Sequence, residues 1–320
     1  MGTVEGQLGL FGDYPSNVIS ASRRTDIPAF YMPWLMNCLR RGSASYPNPF
    51  SGQIHTVSLQ PGDVHSIVFW SKNYGPWLPH LDEIAGRGYH FYFHYTITGV
   101  PRELEPHVPH WQQSVLILRK LAERTSSRHV QWRFDPILFT DTLGMDFYVE
   151  RFRSIAKSLA GATQRCYFSF ALFYDKVERR LARAGIQFRD PSLEEKQALV
   201  QSLADIANEC GMTLYACCED ALITGRVQKA HCIDGDLLAE LFPERPLAFR
   251  LRPTREQCGC VASRDIGMYD TCPHGCVYCY ANQGHQAALM RFRAHDPQGD
   301  VLVHQTCEVR DDSRRFALVR

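Results

Sequence analysis

Three cysteines lie within eight positions near the carboxyl end of the 320-residue chain. The stretch DTCPHGCVYCYAN, residues 270–282, places Cys272, Cys276 and Cys279 at intervals of four and three. Thiolates this close together can converge on a metal without straining the loop that carries them. Zinc normally takes four protein ligands, whereas a cubane iron–sulfur cluster bound by three cysteines leaves one iron for a substrate or cosubstrate. The spacing predicts a metal site and leaves both alternatives open.

Five further cysteines precede this loop, and they too are crowded, since eight of the twelve cysteines fall between positions 217 and 279. The candidate ligands among them are Cys217, Cys218, Cys232, Cys258 and Cys260. Such crowding predicts metal ligation. A four-ligand set would combine Cys232, Cys258 and Cys260 with one of the Cys217/Cys218 pair. A second iron–sulfur cluster, a structural zinc and unligated buried thiols are the three alternatives.

The elements that must position these residues follow a repeated pattern. Short β-branched or aromatic runs end in polar residues and lead into helical patterns, which is typical of βα units. Strands are predicted within residues 18–21, 65–73, 89–99, 129–139, 166–176, 213–220 and 245–251. Six or seven such units predict a single α/β domain, a (β/α) barrel or partial TIM-like barrel, and an open doubly wound sheet is the alternative.

This pattern divides the chain into three parts. Residues 1–17 are expected to form an N-terminal arm and residues 18–257 the barrel. Residues 258–320 are expected to form a cysteine-rich, cluster-binding segment, with an irregular extension after Gln283, where the sequence is polar and weakly periodic.

Polar side chains at the predicted strand ends are the candidates for substrate and cofactor contacts, because chemistry in barrel enzymes gathers there. These candidates are Ser22, Arg23, Arg24, Asp26, Lys72, Arg133 and Asp135. Arg23 and Arg24 could clamp a carboxylate or phosphate, and Asp26 and Asp135 could accept hydrogen bonds from hydroxyls or an amine. The alternative for each is a structural salt bridge or a helix cap, and Asp26 in particular could cap a helix.

Charge and hydropathy exclude several classes of protein. The formal net charge is +1, from 35 Lys and Arg against 34 Asp and Glu, so nucleic acid is not expected as a partner. No apolar run approaches the length of a membrane span. The first residues lack a basic region followed by an apolar run, so we expect a cytoplasmic protein with reduced thiols.

The cysteine loop resembles the cluster motif of the radical S-adenosylmethionine (radical SAM) superfamily, because CxxxCxxC carries an aromatic residue, Tyr278, directly before its last cysteine. The resemblance implies a [4Fe-4S] cluster on Cys272, Cys276 and Cys279, with S-adenosylmethionine bound at the fourth iron. It also implies adenine packing at Tyr278, and we expect an electron donor such as a flavodoxin or ferredoxin. Among the strand-end residues, Lys72 could pair with the carboxylate of S-adenosylmethionine, and Ser22 is a second candidate cofactor contact. The loop departs from the superfamily pattern in its late position.

More narrowly, the segments SASRRTDIPAFY, VFWSKN, YTITG, WRFDPIL, CID and DIGMYDTCPHGCVYCYAN are similar to the domain of unknown function 1848 family. That resemblance runs from about residue 18 to residue 282 and implies no substrate. We therefore predict a radical SAM enzyme acting on an unknown substrate. The alternative is a non-catalytic zinc or iron–sulfur protein, or an electron carrier.

Overall fold

The computed structural model describes residues 17–246 and 249–304. The strands in this part of the chain are β1 Asn17–Ala21, β2 Ser43–Pro47, β3 Ile54–Ser58, β4 Val64–Ser71, β5 Phe91–Thr96, β6 Val130–Ile137, β7 Phe139–Thr140, β8 Arg165–Phe170, β9 Phe188–Arg189, β10 Thr213–Ala216, β11 Gln228–Lys229 and β12 Arg264–Asp265. The helices are α1 Ile27–Phe30, α2 Met32–Arg41, α3 Leu81–Gly86, α4 Trp111–Arg124, α5 Met145–Leu159, α6 Asp175–Arg183, α7 Leu193–Glu209, α8 Gly235–Leu241 and α9 His285–Arg293, with 3₁₀ turns at Leu78–His80 and Asp220–Leu222.

Eight strands form one parallel sheet in the order β11-β10-β8-β6-β5-β4-β1-β12. Seven of them keep their chain order across the sheet, while β12 returns to pair with the free side of β1. The edges of the sheet are therefore β11 and β12. This confirms a mixed α/β architecture built on a parallel sheet. Two antiparallel pairs, β2 with β3 and β7 with β9, lie outside it.

The strands of this sheet are buried on both faces, as parallel strands covered by helices usually are. On one face Trp132 of β6 stacks on Phe152 of α5, with 4.7 Å between ring centroids. On the other face Val68, Tyr92 and Tyr167 belong to a separate buried cluster. Because side chains alternate along a strand, residues two apart in sequence face the same side, and this alternation decides which polar residues meet.

The predicted strands between residues 18 and 220 are confirmed, whereas the one predicted at 245–251 is not. Residues 247–248 lie outside the described part, and the other positions of that segment form only an isolated bridge between Leu251 and Val261. The sheet contains instead two strands that were not predicted, β11 and β12. Each has only two residues, so no hydrophobic pattern could reveal it. Gly211 ends α7 with φ 73°, a left-handed conformation that glycine adopts without strain.

The expectation of irregular structure after Gln283 is wrong for residues His285–Arg293, which form α9. Within α9, Ala288 is fully buried, and the ring of Phe292 packs edge-on against Phe30 and Tyr31 at 5.8 and 5.6 Å. These tertiary contacts stabilise a helix whose sequence is weakly periodic. Most of the proposed N-terminal arm, residues 1–16, and the end of the extension, residues 305–320, lie outside the described residues.

The cysteine-rich segment is joined to the rest of the fold through β12, which pairs with β1 in the central sheet. None of the described helices combines the length and the apolar character that crossing a membrane would require.

Candidate functional site

A cavity of about 650 Å³ opens at the carboxyl ends of the parallel strands. Its volume is within the range of about 300–1,000 Å³ that is usual for small-molecule sites. All sixteen residues singled out from the sequence line it: Ser22, Arg23, Arg24, Asp26, Lys72, Arg133, Asp135, Cys217, Cys218, Cys232, Cys258, Cys260, Cys272, Cys276, Tyr278 and Cys279. The fold thus brings both groups of cysteines and the strand-end polar residues to one place.

The loop after β1 is organised by Asp265, a β12 residue that the sequence analysis did not select. Its carboxylate accepts hydrogen bonds from Ser22 Oγ at 2.5 Å, Arg23 N at 2.8 Å and Arg24 Nε at 3.1 Å. Burial would raise the pKa of Asp265, but Arg24 and Arg23 outweigh it and the pKa is lowered. Arg24 is therefore engaged in a buried ion pair with Asp265. This favours a structural salt bridge at Arg24 over a role in binding a substrate carboxylate or phosphate.

Asp26 connects the first strand loop to the cysteine loop. Its carboxylate accepts from Ala29 N at 3.0 Å, so it caps α1 and the helix-cap alternative is confirmed. The same carboxylate accepts from Ser71 Oγ at 2.6 Å and Lys72 N at 2.8 Å, and pairs with His274 Nε2 at 2.8 Å. His274 lies inside the CxxxCxxC stretch, so Asp26 fixes that stretch against the end of β4.

Lys72, Glu105 and Tyr278 form a buried network in the cavity wall. Lys72 Nζ lies 2.7 Å from Glu105 Oε1, and Thr98 Oγ1 donates to the same oxygen at 2.8 Å. The Tyr278 hydroxyl also donates to it. Burial would lower the pKa of Lys72 and raise that of Glu105, but their mutual attraction reverses both shifts. The ammonium of Lys72 is thus paired with a protein carboxylate, and Tyr278 is fixed by its hydroxyl.

Arg133 and Asp135, two residues apart on β6, face the same side of the sheet and form an ion pair, with 3.1 Å between Arg133 Nε and Asp135 Oδ2. Ser169 of β8 also donates to Asp135. Burial opposes the charge of Arg133, yet Asp135 outweighs it and the pKa of Arg133 is raised. Its guanidinium lies 5.4 Å from the ring centroid of Trp70. It also donates to Cys232 Sγ at 3.2 Å, so it bridges a strand-end carboxylate and a thiol.

The CxxxCxxC loop is held from several sides. Asn282 Nδ2 donates to the carbonyl of Cys272 at 2.8 Å. Arg180 of α6 donates to the carbonyl of Asn282 at 2.9 Å and to that of Cys279. Burial raises the pKa of the Cys272 and Cys276 thiols, and the negative charges of Asp26 and of the Cys279 thiolate raise both further. A bound cation would relieve this repulsion between thiolates.

The donor set of this loop fits an iron–sulfur cluster. In the described part of the chain no group of three or more His, Cys, Asp or Glu side chains is placed so that it could hold a metal ion. In a cubane cluster each cysteine binds a different iron, so the cysteine sulfurs need not converge on one point. Three thiols on one anchored loop line the cavity, and thiolates are the ligands that such a cluster takes.

The other five cysteines gather at the wall of the cavity, and the group is here called the thiol ring: Cys217, Cys218, Cys232, Cys258 and Cys260. Cys217 Sγ lies 3.4 Å from Cys232 Sγ and 3.8 Å from Cys218 Sγ. Cys260 Sγ accepts from Ile233 N, beside Cys232, at 3.4 Å, and all five cysteines line the cavity. Hydrogen bonds from neighbouring thiols lower the pKa of Cys232 and of Cys258.

Some site residues escaped the sequence analysis, for different reasons. Asp265 lies in the segment DIGMYDTC that carried the family resemblance, so a signal for it existed. Glu105 and Arg180 follow no motif and lie on a loop and a helix far from the cysteines in sequence. Ser169 was visible only as one polar residue near a strand end.

The fold and the site define an α/β protein with a cysteine-lined cavity at the carboxyl edge of a parallel sheet. The family described as Domain of unknown function (DUF1848) matches residues 18–281. The chain therefore belongs to this family, as its sequence motifs indicated.

Other comparisons add little. No curated protein matches the sequence. Among solved structures, a crystal structure of D-hydantoinase is similar at 10% identity with a TM-score of 0.31, covering 72% of this chain and 45% of that one. This chain thus spans less than half of that protein's length, and similarity at this level assigns no function.

Proposed function

We propose that the protein is a radical SAM enzyme whose substrate binds in the 650 Å³ cavity. The observation that carries the proposal is that Cys272, Cys276, Cys279 and Tyr278 line one cavity together with the strand-end polar residues. When bound by these three cysteines, a [4Fe-4S] cluster would supply the electron that cleaves S-adenosylmethionine at its remaining iron.

The residues of the chain would position the cofactors and exclude water. Asp26 holds the cysteine loop through His274, and Arg180 holds it from α6. Tyr278 would pack against adenine with its ring orientation fixed by Glu105. Lys72 is paired with Glu105, so we propose that it orients this wall and approaches the cosubstrate as part of a neutral pair.

The late position of the motif is consistent with a (β/α) barrel. Because β12 pairs with β1, the loop that follows β12 reaches the same end of the sheet as the loop that follows β1. The sheet order supports a ring whose seam lies between β11 and β12. In such a ring a motif after the last strand occupies the place beside the first strand.

We also propose that the protein works in the cytoplasm with a small electron donor such as a flavodoxin or ferredoxin. A reducing compartment would keep the cavity thiols available as ligands. The near-neutral net charge of +1 does not favour nucleic acid as the substrate.

Cleavage of S-adenosylmethionine by anaerobically reconstituted, dithionite-reduced protein tests the proposal. We expect 5′-deoxyadenosine, or methylthioadenosine if the other carbon–sulfur bond breaks. Cleavage is expected to vanish in Cys276→Ala and to persist in Cys210→Ala, a matched control whose cysteine caps the end of α7.

Three results would contradict the proposal. Undiminished cleavage in Cys276→Ala would show that Cys276 is not a cluster ligand. A reducible cluster that leaves S-adenosylmethionine intact would indicate an electron carrier. Colourless protein that contains only zinc would indicate a non-catalytic metal-binding protein.

A further inference from the structure

Two sulfurs of the thiol ring are in contact. Cys217 Sγ lies 3.4 Å from Cys232 Sγ, and both residues are buried. The sulfurs of a disulfide are about 2.05 Å apart, so an approach of about 1.4 Å would join these two. Sulfurs in contact are too close to bind different irons of one cubane, as the ligands of such a cluster do. The distance therefore suits a bond between the two sulfurs better than a shared cluster.

The fold brings this pair together from two neighbouring strands. β10 and β11 are adjacent and parallel, and the two cysteines follow their carboxyl ends. Cys217 N donates to the carbonyl of Phe168 at 2.9 Å. The carbonyl of Cys232 accepts from His94 Nε2 at 2.6 Å and from the Tyr92 hydroxyl at 2.8 Å. Because hydrogen bonds hold both backbones, side-chain rotation is what brings the sulfurs closer.

Cys218 is the other neighbour of Cys217, with 3.8 Å between their sulfurs. The two residues are consecutive and joined by a trans peptide, which places their Cα atoms about 3.8 Å apart. The Cα atoms of a disulfide are usually about 4.4–6.8 Å apart. A bond between Cys217 and Cys218 would therefore strain the backbone, and Cys232 is the favoured partner of Cys217.

A guanidinium lies beside each sulfur of the pair. Arg133 Nη1 donates to Cys232 Sγ at 3.2 Å, and Arg255 Nη2 lies 3.7 Å from Cys217 Sγ. A neighbouring cation favours the thiolate, which is the nucleophilic form of cysteine. Arg133 is the closer of the two, and its side chain is only 7% exposed, so solvent ions screen its charge less. Cys232 is therefore the attacking thiol, and Cys217 completes the exchange.

From these contacts we infer that Cys217 and Cys232 form a redox-active dithiol, which transfers two electrons to a small disulfide compound that enters the cavity. Both cysteines line this cavity, so a small molecule can reach them. The exchange involves neither the CxxxCxxC loop nor S-adenosylmethionine. The inference therefore stands apart from the proposed function.

The exchange takes place in two steps. The Cys232 thiolate attacks one sulfur of the compound, breaks its sulfur–sulfur bond and expels the first thiolate. Cys217 then loses its proton and attacks Cys232 Sγ, which expels the second thiolate and leaves a Cys217–Cys232 disulfide. The two protons of the cysteine thiols pass to the two expelled thiolates. The dithiol is thus oxidised, and the compound is reduced to two thiols.

Peptide mapping of the reduced, full-length protein tests the inference. The protein is treated with bis(2-hydroxyethyl) disulfide in oxygen-free buffer, and the remaining thiols are blocked with iodoacetamide. Trypsin, which cleaves after Arg226 and Lys229, places the two cysteines on separate peptides. We expect a disulfide that joins these peptides and disappears after treatment with dithiothreitol. Cys217→Ser should lose this link and retain one mercaptoethanol group on Cys232, because the second attack is missing.

Cys218→Ser is the matched control, since it removes the neighbouring thiol and should keep the link. The link is measured first in the wild type, so the test does not depend on whether a variant folds. Absence of the link in the wild type would overturn the inference. So would a link that persists in Cys217→Ser, or tightly bound zinc that protects both cysteines from the reagent. Each of these results can be obtained whether or not SAM is cleaved.

Discussion

Replacement of Glu105 by Gln tests the network that fixes the cavity wall. The carboxylate of Glu105 is almost fully buried and pairs with Lys72 Nζ at 2.7 Å. It also accepts hydrogen bonds from Thr98 and Tyr278. The amide has nearly the same shape, but it carries no charge and leaves a buried ammonium without a counter-ion.

The expected loss of stability depends on the protonation state that Lys72 adopts in the Glu105→Gln variant. It can stay charged and unpaired, which costs about 3–5 kcal/mol for a broken buried pair. It can instead release its proton, which costs at most about 4.8 kcal/mol at pH 7, because 3.5 pKa units separate that pH from the usual value of 10.5 at 1.36 kcal/mol per unit. We therefore expect the free energy of unfolding to fall by about 3–4 kcal/mol.

Urea denaturation across pH measures this loss. In the variant the folded-state pKa of Lys72 drops below its unfolded value, so the unfolded state binds more protons and stability rises with pH. The deficit relative to wild type should shrink between about pH 7 and pH 10. Lys72→Met added to Glu105→Gln should recover part of the loss, because it removes the unpaired charge.

Glu103→Gln is the matched control, since Glu103 is exposed in the same loop and its replacement should change stability by less than about 0.5 kcal/mol. A loss below about 1 kcal/mol in Glu105→Gln, or a deficit that does not vary with pH, would refute the reasoning.

Two further substitutions test the junction between β1 and β12. Asp265→Asn should cost about 3 kcal/mol in urea denaturation at pH 7 because it leaves the buried Arg24 unpaired. Because the pKa of Asp265 is lowered in the folded state, its carboxylate stabilises the fold fully above its unfolded pKa of 3.8, and this stabilisation is lost as the pH falls through the folded pKa. The free energies of unfolding of wild type and Asp265→Asn should therefore converge in acid. A difference between them that does not vary with pH would contradict this. Gly267→Ala should cost about 2 kcal/mol or more, since an added Cβ would lie 2.0 Å from Ser22 Oγ and 2.5 Å from Ser22 Cβ. Gly284→Ala, where a Cβ meets nothing within 4 Å, is its control in thermal unfolding, and equal midpoints for the two variants would argue against the close contact.

Local patterns were sufficient for much of the fold. The buried strands β4, β5, β6 and β8 were visible because continuous apolar and aromatic runs are what a parallel sheet covered on both faces requires. The helix α9 was missed, since its burial depends on Phe30 and Tyr31 of a distant segment.

The sequence by itself determined the spacing of the cysteines in their loop, the polar residues at the strand ends and the family of the chain, because each depends on neighbours within a few positions. Only the tertiary structure decided which charged and polar side chains of the site pair with one another. Lys72 meets Glu105 across 33 residues, and Ser22 meets Asp265 across 243.

The tertiary structure also brings the five cysteines of the thiol ring to one cavity wall. Cys217 becomes a neighbour of Cys232 only when β10 and β11 take their places in the sheet. The physical reason is that a spacing pattern records what a short segment can do alone. Which groups share a buried carboxylate or a cavity wall depends on how distant segments pack.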